Sequence, residues 1–231
     1  MTTTVITGAN KGLGFETARR LVAAGHTVYV GARSKDKAQQ AADRLGARPL
    51  LIDITDDESV RAAADEVARA HDALDVLVNN AGISAATQAP EEVTGPDLAA
   101  MLDTNTVGVV RVMHAFLPLL RRAEHGVVVN VGSGLGSLSR ATDPAAMESR
   151  WLALGYATTK AAVSMLTVQY AKAFPELRIN VVDPGYTATD LNGFRGTQTV
   201  EQGVGPIVRA ATITADGPTG GFFDAAGAVP W

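Results

Sequence analysis

The sequence predicts an α/β chain built as a doubly wound parallel sheet of about seven strands with helices on both faces. Three observations carry this. Short runs rich in Val, Ile and Leu alternate with longer segments of helical periodicity along all 231 residues, the pattern of repeated strand–helix–strand units. Most of the short runs are apolar at nearly every position rather than at every second one, as strands covered by helices on both faces must be. The first run also leads directly into a glycine-rich turn that opens a helix.

Taken in order, TTVITG (3–8) is the first strand, and Gly8, Gly12 and Gly14 mark the turn into a helix beginning near Gly12–Phe15. That helix, FETARRLVAAG, ends where Gly25 supplies a residue suited to the left-handed position after a helix. TVYVG (27–31) and RPLLI (48–52) are the second and third strands. Thr55 or Asp56 caps the helix DESVRAAADEVARA, and Glu58 in its first turn suits the helix dipole. LDVLVN (74–79) is the fourth strand, followed by a long apolar helix around 97–121, in which TNTVG is a poor helix former and Pro118 predicts a kink or a weak last turn. GVVVNV (126–131), the helical stretch GYATTKAAVSML (155–166), RINVVD (178–183) and a last run at GGFF (220–223) complete the series. No repeat, low-complexity tract or linker divides the chain, so residues 1–231 read as a single domain of a size that one core serves.

Composition narrows the function. Hydrophobic residues make up 46% and charged residues 19% of the chain, an ordinary globular balance. A net charge of −4 gives no basic footprint for nucleic acid. The absence of cysteine excludes disulfides, thiolate metal sites and cysteine nucleophiles. MTTTVITGAN has no basic region ahead of an apolar stretch, and no apolar run approaches the roughly 18 residues of a membrane span, so a cytoplasmic chain without a membrane partner is expected. His26, His71, His114 and His125 have no ligand spacing, so they are read as surface or capping residues and no metal is expected.

The glycine turn, with Asn10, Lys11 and Leu13 between its glycines, lets backbone approach a pyrophosphate at a helix N-terminus, whose free N–H groups favour an anion. Its spacing departs from both G-x-G-x-x-G and the Walker loop. At the end of the second strand, where an acidic residue would bind a ribose 2′-hydroxyl, the chain reads GARSKDK. Arg33 and Ser34 stand in the acid's place and Lys11 can approach the same region, which predicts NADP(H) in preference to NAD(H), because a guanidinium clamps a 2′-phosphate. The competing reading is that Arg33 is a solvated residue at a strand end.

With these motifs in order, the sequence resembles the short-chain dehydrogenase/reductase family over nearly its whole length. TGANKGLG matches the TG-x-x-x-G-x-G turn, NNAG (79–82) the fourth-strand motif and YATTK the Y-x-x-x-K pair, with Asn105, Ser133 and Pro184-Gly185 followed by Thr189 in the expected order. Within the family it is most similar to the NADPH-dependent carbonyl reductases, through TGANKG, GARSKD, the pattern EQGVGPIV with DGPTGGFF, and the tryptophan at 231. The resemblance implies a Rossmann fold in which Asp53 and Ile54 border the adenine. Asn80, Ala81 and Gly82 then lie beneath the adenosine ribose, and Pro184, Gly185, Thr187 and Thr189 wrap the nicotinamide. Asp53 also reads as a turn or cap residue.

Carbonyl reduction needs a hydride from the cofactor and a proton for the oxygen. Tyr156 is the candidate acid, and Lys160, one helical turn on, is positioned to lower its pKa and to reach the nicotinamide ribose. Ser133 is read as a donor to the carbonyl oxygen. By resemblance, Asn105 anchors a water that links Lys160 to solvent; an ordinary helical Asn is the competing reading.

Ser133 and Tyr156 stand 23 positions apart, more than is usual in the family. The extra stretch contains Trp151, Leu152 and Leu154; it reads equally as a lid or pocket wall and as residues that pack on the core or begin the Tyr156 helix. Loops 132–155 and 186–200 are expected to form the substrate pocket, with Trp151, Tyr186, Leu191 and Phe194 as candidate lining residues. In the carbonyl reductases such an insertion covers the surface used for dimers and tetramers, so a homodimer, a homotetramer and a monomer all stay open. The partner is a small carbonyl or alcohol substrate. Two alternatives are a non-catalytic NADP(H)-sensing protein of the same fold and a ketoacyl-type reductase.

Overall fold

The computed structural model of the chain describes residues 1–84 and 89–231. Seven strands, β1 (Thr3–Ile6), β2 (Thr27–Ala32), β3 (Arg48–Leu51), β4 (Val76–Asn79), β5 (Val127–Val131), β6 (Arg178–Val182) and β7 (Phe222–Phe223), form one sheet in the order β3-β2-β1-β4-β5-β6-β7. Every neighbouring pair is parallel, with Val5 opposite both Tyr29 and Leu77. All carboxyl ends therefore meet at one edge. The chain winds outward from β1 through β3, then returns to β4 on the other side of β1, which opens a crevice at the reversal.

Helices α1 (Gly12–Ala23), α2 (Lys35–Leu45), α3 (Asp57–Ala70), α4 (Gly95–Leu102), α5 (Gly108–Leu120), α6 (Leu138–Thr142), α7 (Leu154–Ala173), α8 (Val200–Gly203) and α9 (Gly205–Ala211) connect the strands. The two-residue period of the strands sorts the core into two layers. Val5, Leu77, Val128 and Ile179 pack with Val60 and Val67 of α3, Val112 and Phe116 of α5 and Val163 of α7. Ile6, Val30, Val78 and Val129 pack on the other face with Leu21 of α1, Ala41 of α2 and Ile207 of α9. Each fully buried aliphatic side chain contributes roughly 1.5–3 kcal/mol, so double burial dominates the stability of the sheet.

Local signals act as the sequence predicts. Asp56 caps α3 by accepting from the Glu58 amide, and Gly25 follows α1 at φ +88°. The helix expected around 97–121 is instead two helices separated by a π-helical turn at Asp103–Val107, where the poor helix former TNTVG lies. Pro118 neither ends nor splits α5, which continues to Leu120; the Arg121 amide closes the end on the Leu117 carbonyl. Three histidines are strand-end and helix-end ties: His26 with Thr4, His71 with Thr3 and Tyr29, and His125 with the Ile213 carbonyl. Among the described residues no helix is long and apolar enough to cross a membrane.

Candidate active site

A crevice of about 790 Å³ runs along the carboxyl edge of the sheet. Its first part is built by the glycine turn. Gly8 and Gly12 have φ of +63° and +57°, a left-handed conformation that costs a non-glycine residue energy. A Cβ on Gly8 would lie 2.9 Å from the Ala81 Cα, and one on Gly14 would lie 2.5 Å from Asn80 Nδ2 and 2.6 Å from the Gly8 carbonyl. Asn80 donates from Nδ2 to the Thr7 and Gly8 carbonyls, while the Thr7 hydroxyl accepts from the Asn80 and Ala81 amides. The Asn80–Gly82 turn is thus the buttress of the glycine turn, and its Asn80 amide is spent on backbone. Asn10, Lys11 and Leu13 also line the crevice. Gly14→Ala is expected to weaken dinucleotide binding at least about tenfold in a fluorescence titration and to lower stability by about 1–3 kcal/mol, the usual cost of overpacking.

At the end of β2, Arg33 stands exposed on the crevice and the neighbouring Ser34 hydroxyl caps α2. Asp53 accepts from the Thr55 amide and hydroxyl at 3.0 and 2.7 Å, so it is a turn residue that also borders the crevice. These hydrogen bonds hold its carboxyl below the usual range, with help from the Arg33 and Arg111 charges. Ile54 packs where a Gly108 side chain would be, 2.8 Å from its ideal Cβ. Lys11, expected near Arg33, is engaged by Asp190, 3.1 Å from its ammonium. The glycine turn and the segment after β6 are joined through that pair.

Ser133, two residues past β5, has extended backbone and accepts from the Leu135 amide at 3.3 Å. It also hydrogen-bonds the Tyr156 phenol. Tyr156 and Lys160 share one face of α7, and the Lys160 Nζ lies 5.5 Å from the Tyr156 ring centroid. Nζ is buried and donates to the Val131 carbonyl at 2.7 Å. Burial draws the lysine down to about 8, against the opposing pull of Asp183. The phenol departs from the sequence expectation of a lowered pKa. Burial first, and then the negative charge of Asp183, push it well above its ordinary value, and the Ser133 hydrogen bond offsets only part of this. Desolvation penalises the anion more than the lysine, turned toward Val131, rewards it.

Asn105 sits in the π-helical turn and is buried. Its Oδ1 accepts from the Ile83 amide at 2.8 Å, and its Nδ2 donates to the Ile83 carbonyl and the Thr159 hydroxyl. The side chain clamps the segment after β4 onto α7 one residue before Lys160. A Cβ on Gly82 would fall 3.3 Å from Asn105 Oδ1 and 3.9 Å from Lys160 Nζ, so these three positions converge.

After β6, Gly185 turns at φ +73° and the buried Thr187 hydroxyl donates toward the Pro184 carbonyl. Thr189 caps a short turn at Asp190–Asn192. Gln198, which sequence reasoning passes over, donates from Nε2 to the Pro184 carbonyl and the Thr187 hydroxyl. A parallel bridge between Thr187 and Gln198 closes the base of the loop between them. Trp151 and Tyr186 meet edge to face at 5.2 Å, and Met147, Leu152 and Leu191 join them on the crevice wall. Phe194 does not line it; it is 66% exposed at φ 60°.

Sequence reasoning also passes over the anchor of the long stretch before Tyr156. Arg140 of α6 pairs with Glu148 at 3.2 Å, Asp183 at 3.4 Å and Asp224 at 2.6 Å. The Ser137 hydroxyl donates to the Pro230 carbonyl at 2.6 Å, so residues 137–148 are tied to β6 and to the segment after β7. No local spacing links these four charged residues, which lie on separate elements.

An open parallel sheet with a glycine turn after β1, Ser133 after β5 and a Tyr–Lys pair on α7 is the framework of a dinucleotide-dependent oxidoreductase. Residues 2–199 match the short chain dehydrogenase family, and the chain belongs to it. The short-chain dehydrogenase anuI of Penicillium roqueforti is 38% identical over 221 residues, covering 90% of this chain and 87% of that one. Salutaridine reductase of Papaver bracteatum is 27% identical, over 95% of this chain and 93% of its own. The NADPH-bound carbonyl reductase from chicken fatty liver superposes with a TM-score of 0.87 at 25% identity, covering 100% of this chain and 99% of that one. The family binds nicotinamide cofactors and its relatives here include reductases of carbonyl-type substrates.

Proposed function

We propose that the chain reduces ketones or aldehydes with NADPH and that Tyr156 is the proton donor. The observation that carries this reading is the convergence of Ser133, Tyr156 and Lys160 on the same crevice as the glycine turn and Arg33. The cradle fits a dinucleotide: Gly8, Gly12 and Gly14 line the crevice with backbone at a helix N-terminus, and side chains on Gly8 or Gly14 would collide with Ala81 or Asn80 and displace that turn. Arg33 suits a 2′-phosphate, with Asp53 and Ile54 at the adenine, and Asn80, Ala81 and Gly82 under the ribose. Pro184, Gly185, Thr187 and Thr189 hold the nicotinamide end. When bound, the cofactor supplies the hydride.

The protein's own part is positioning and proton supply. Ser133 donates a hydrogen bond to the carbonyl oxygen and holds it beside the phenol. Tyr156 stays protonated at neutral pH because its anion is disfavoured by burial, yet it still releases the proton to a developing alkoxide, a stronger base than phenolate. Lys160 supplies positive potential beneath the ring as phenolate forms. Asn105 acts by fixing the π-helical turn against α7; with its amide occupied, any water link to Lys160 falls to the main chain of that turn. Crevice residues from 132–155 and 186–200 receive the substrate.

The direct test is oxidation of NADPH against a panel of ketones, quinones and aldehydes, with NADH beside it. Turnover with NADPH is expected. Tight NADPH binding without turnover on any of them would overturn the reading in favour of a sensor.

Lys160 allows a second check. Its pKa of about 8 in the folded chain lies below its ordinary 10.5, so the unfolded chain holds more protons between those values. Stability then rises with pH across that window, and below it the buried ammonium costs stability. Lys160→Met is expected to raise stability at pH 7 by about 1–2 kcal/mol after loss of the Val131 hydrogen bond, a gain of a few degrees in Tm. The gain should fade above about pH 10 while reductase activity falls by about 10²-fold or more. A lower Tm at pH 7 would contradict it.

A further inference from the structure

Asp183 directly follows β6 and is buried, yet no step above uses it. Its Oδ1 accepts from the Gly185 amide at 2.9 Å, and the Gly134 amide stabilises the same carboxylate. Gly134 adjoins Ser133, and Gly185 belongs to the turn assigned to the nicotinamide. One carboxylate therefore joins the two loops that must be in register for hydride and proton to reach the same carbonyl. The packing around this junction is tight: a Cβ on Gly134 would fall 2.3 Å from Glu148 Oε1, 2.9 Å from Asp183 Oδ2 and 3.1 Å from Arg140 Nη1.

The charge at the junction is unbalanced. Among the described residues, Arg140 is the one guanidinium paired with Asp183, Glu148 and Asp224. The charged and titratable groups around the pair are Glu148 from the segment after α6, Asp224 from the segment after β7, and Tyr156 and Lys160 from α7. A buried carboxylate is costly unless it is paired and hydrogen-bonded, and a neutral side chain would accept from an amide without that cost. Its charge is felt by both Tyr156 and Lys160, in each case in the direction that favours the protonated form.

We propose that Asp183, held by Arg140, is a positioning residue for the reduction: its carboxylate ties the Ser133 loop to the Pro184–Gly185 turn and sets a negative charge beside the Tyr156–Lys160 pair. This rests on the reading of Tyr156 as proton donor. The junction also explains why a long stretch before Tyr156 is compatible with a precise site, since Arg140 and Glu148 carry that stretch onto the same carboxylate.

The test is Asp183→Asn in the full chain, with two readouts. One is the pH dependence of kcat/KM for ketone reduction; the other is the pH dependence of Tm across the Lys160 window, with Lys160→Met as reference. Both transitions are expected to move to lower pH by about 0.5–1 unit, because either Tyr156 or Lys160 loses a proton more readily without the neighbouring anion. Glu148→Gln, which removes the charge of one Arg140 partner and leaves the Asp183 charge, should leave both transitions in place. Superimposable pH profiles of Asp183→Asn and wild type would overturn the proposal, as would an equal shift in Glu148→Gln. If Asp183→Asn does not fold, Asp183→Ser removes the same charge with less bulk and is read in the same way. A wild-type chain that reduces no carbonyl would sink the functional reading, and the pH dependence of Tm would still decide whether Asp183 acts on Lys160.

Discussion

Tyr156→Phe is expected to lower carbonyl reduction by at least about 10³-fold while leaving NADPH affinity within about twofold, as general acid catalysis by one side chain commonly contributes 10²–10⁴-fold. The argument is geometric. The substitution removes one oxygen from a side chain whose ring lies 5.5 Å from the Lys160 ammonium, and leaves the α7 backbone and the Lys160–Val131 hydrogen bond in place. The glycine turn and Arg33 lie at other strand ends, so the cofactor cradle does not depend on the phenol oxygen. The loss should therefore appear in kcat, with little change in dinucleotide affinity. Steady-state turnover and an equilibrium NADPH titration on the same preparation check both halves. Retained turnover above about a tenth of wild type would assign the proton to another group.

Arg33→Ala is expected to weaken NADPH binding by about 10–100-fold and NADH binding by less than about threefold, because a charge-assisted contact to phosphate is worth about 1.5–3 kcal/mol. Arg33 stands exposed where β2 ends, Ser34 is occupied as the α2 cap, and Asp53 is held by Thr55. Lys11 is already paired with Asp190 at 3.1 Å, so the 2′-phosphate contact falls mainly to Arg33. Equal losses for both dinucleotides would remove the basis for an NADP preference. NADPH affinity should also fall as salt is raised, since Arg33 is solvent-exposed.

Most of the framework was legible because it depends on local chemistry. Apolar runs such as VVVNV mark strands buried on both sides, and the caps at Asp56 and Gly25 act through their own neighbours. The glycine turn was legible because only glycine tolerates both the positive φ at Gly8 and the approach of Ala81. Ser133, Tyr156 and Lys160 were legible through their order on successive elements. Contacts made in space add to or change what local chemistry suggests. Lys11 lines the crevice with Arg33 but is paired with Asp190, Phe194 is exposed and does not line the crevice, and the Tyr156 phenol is raised because burial and Asp183 outweigh Lys160.

The alternation of strand and helix, the doubly covered sheet, the glycine turn and the Tyr156–Lys160 spacing follow from periodicity or from the conformational limits of nearby residues, and all are written in the chain. How the charges are shared depends on the folded arrangement. Arg140, Glu148, Asp183 and Asp224 come from four separate segments, and Gln198 reaches back to Pro184 across its loop. Electrostatic and hydrogen-bond energies depend on distance in space and on exclusion of water, and neither is encoded in the separation of residues along the chain.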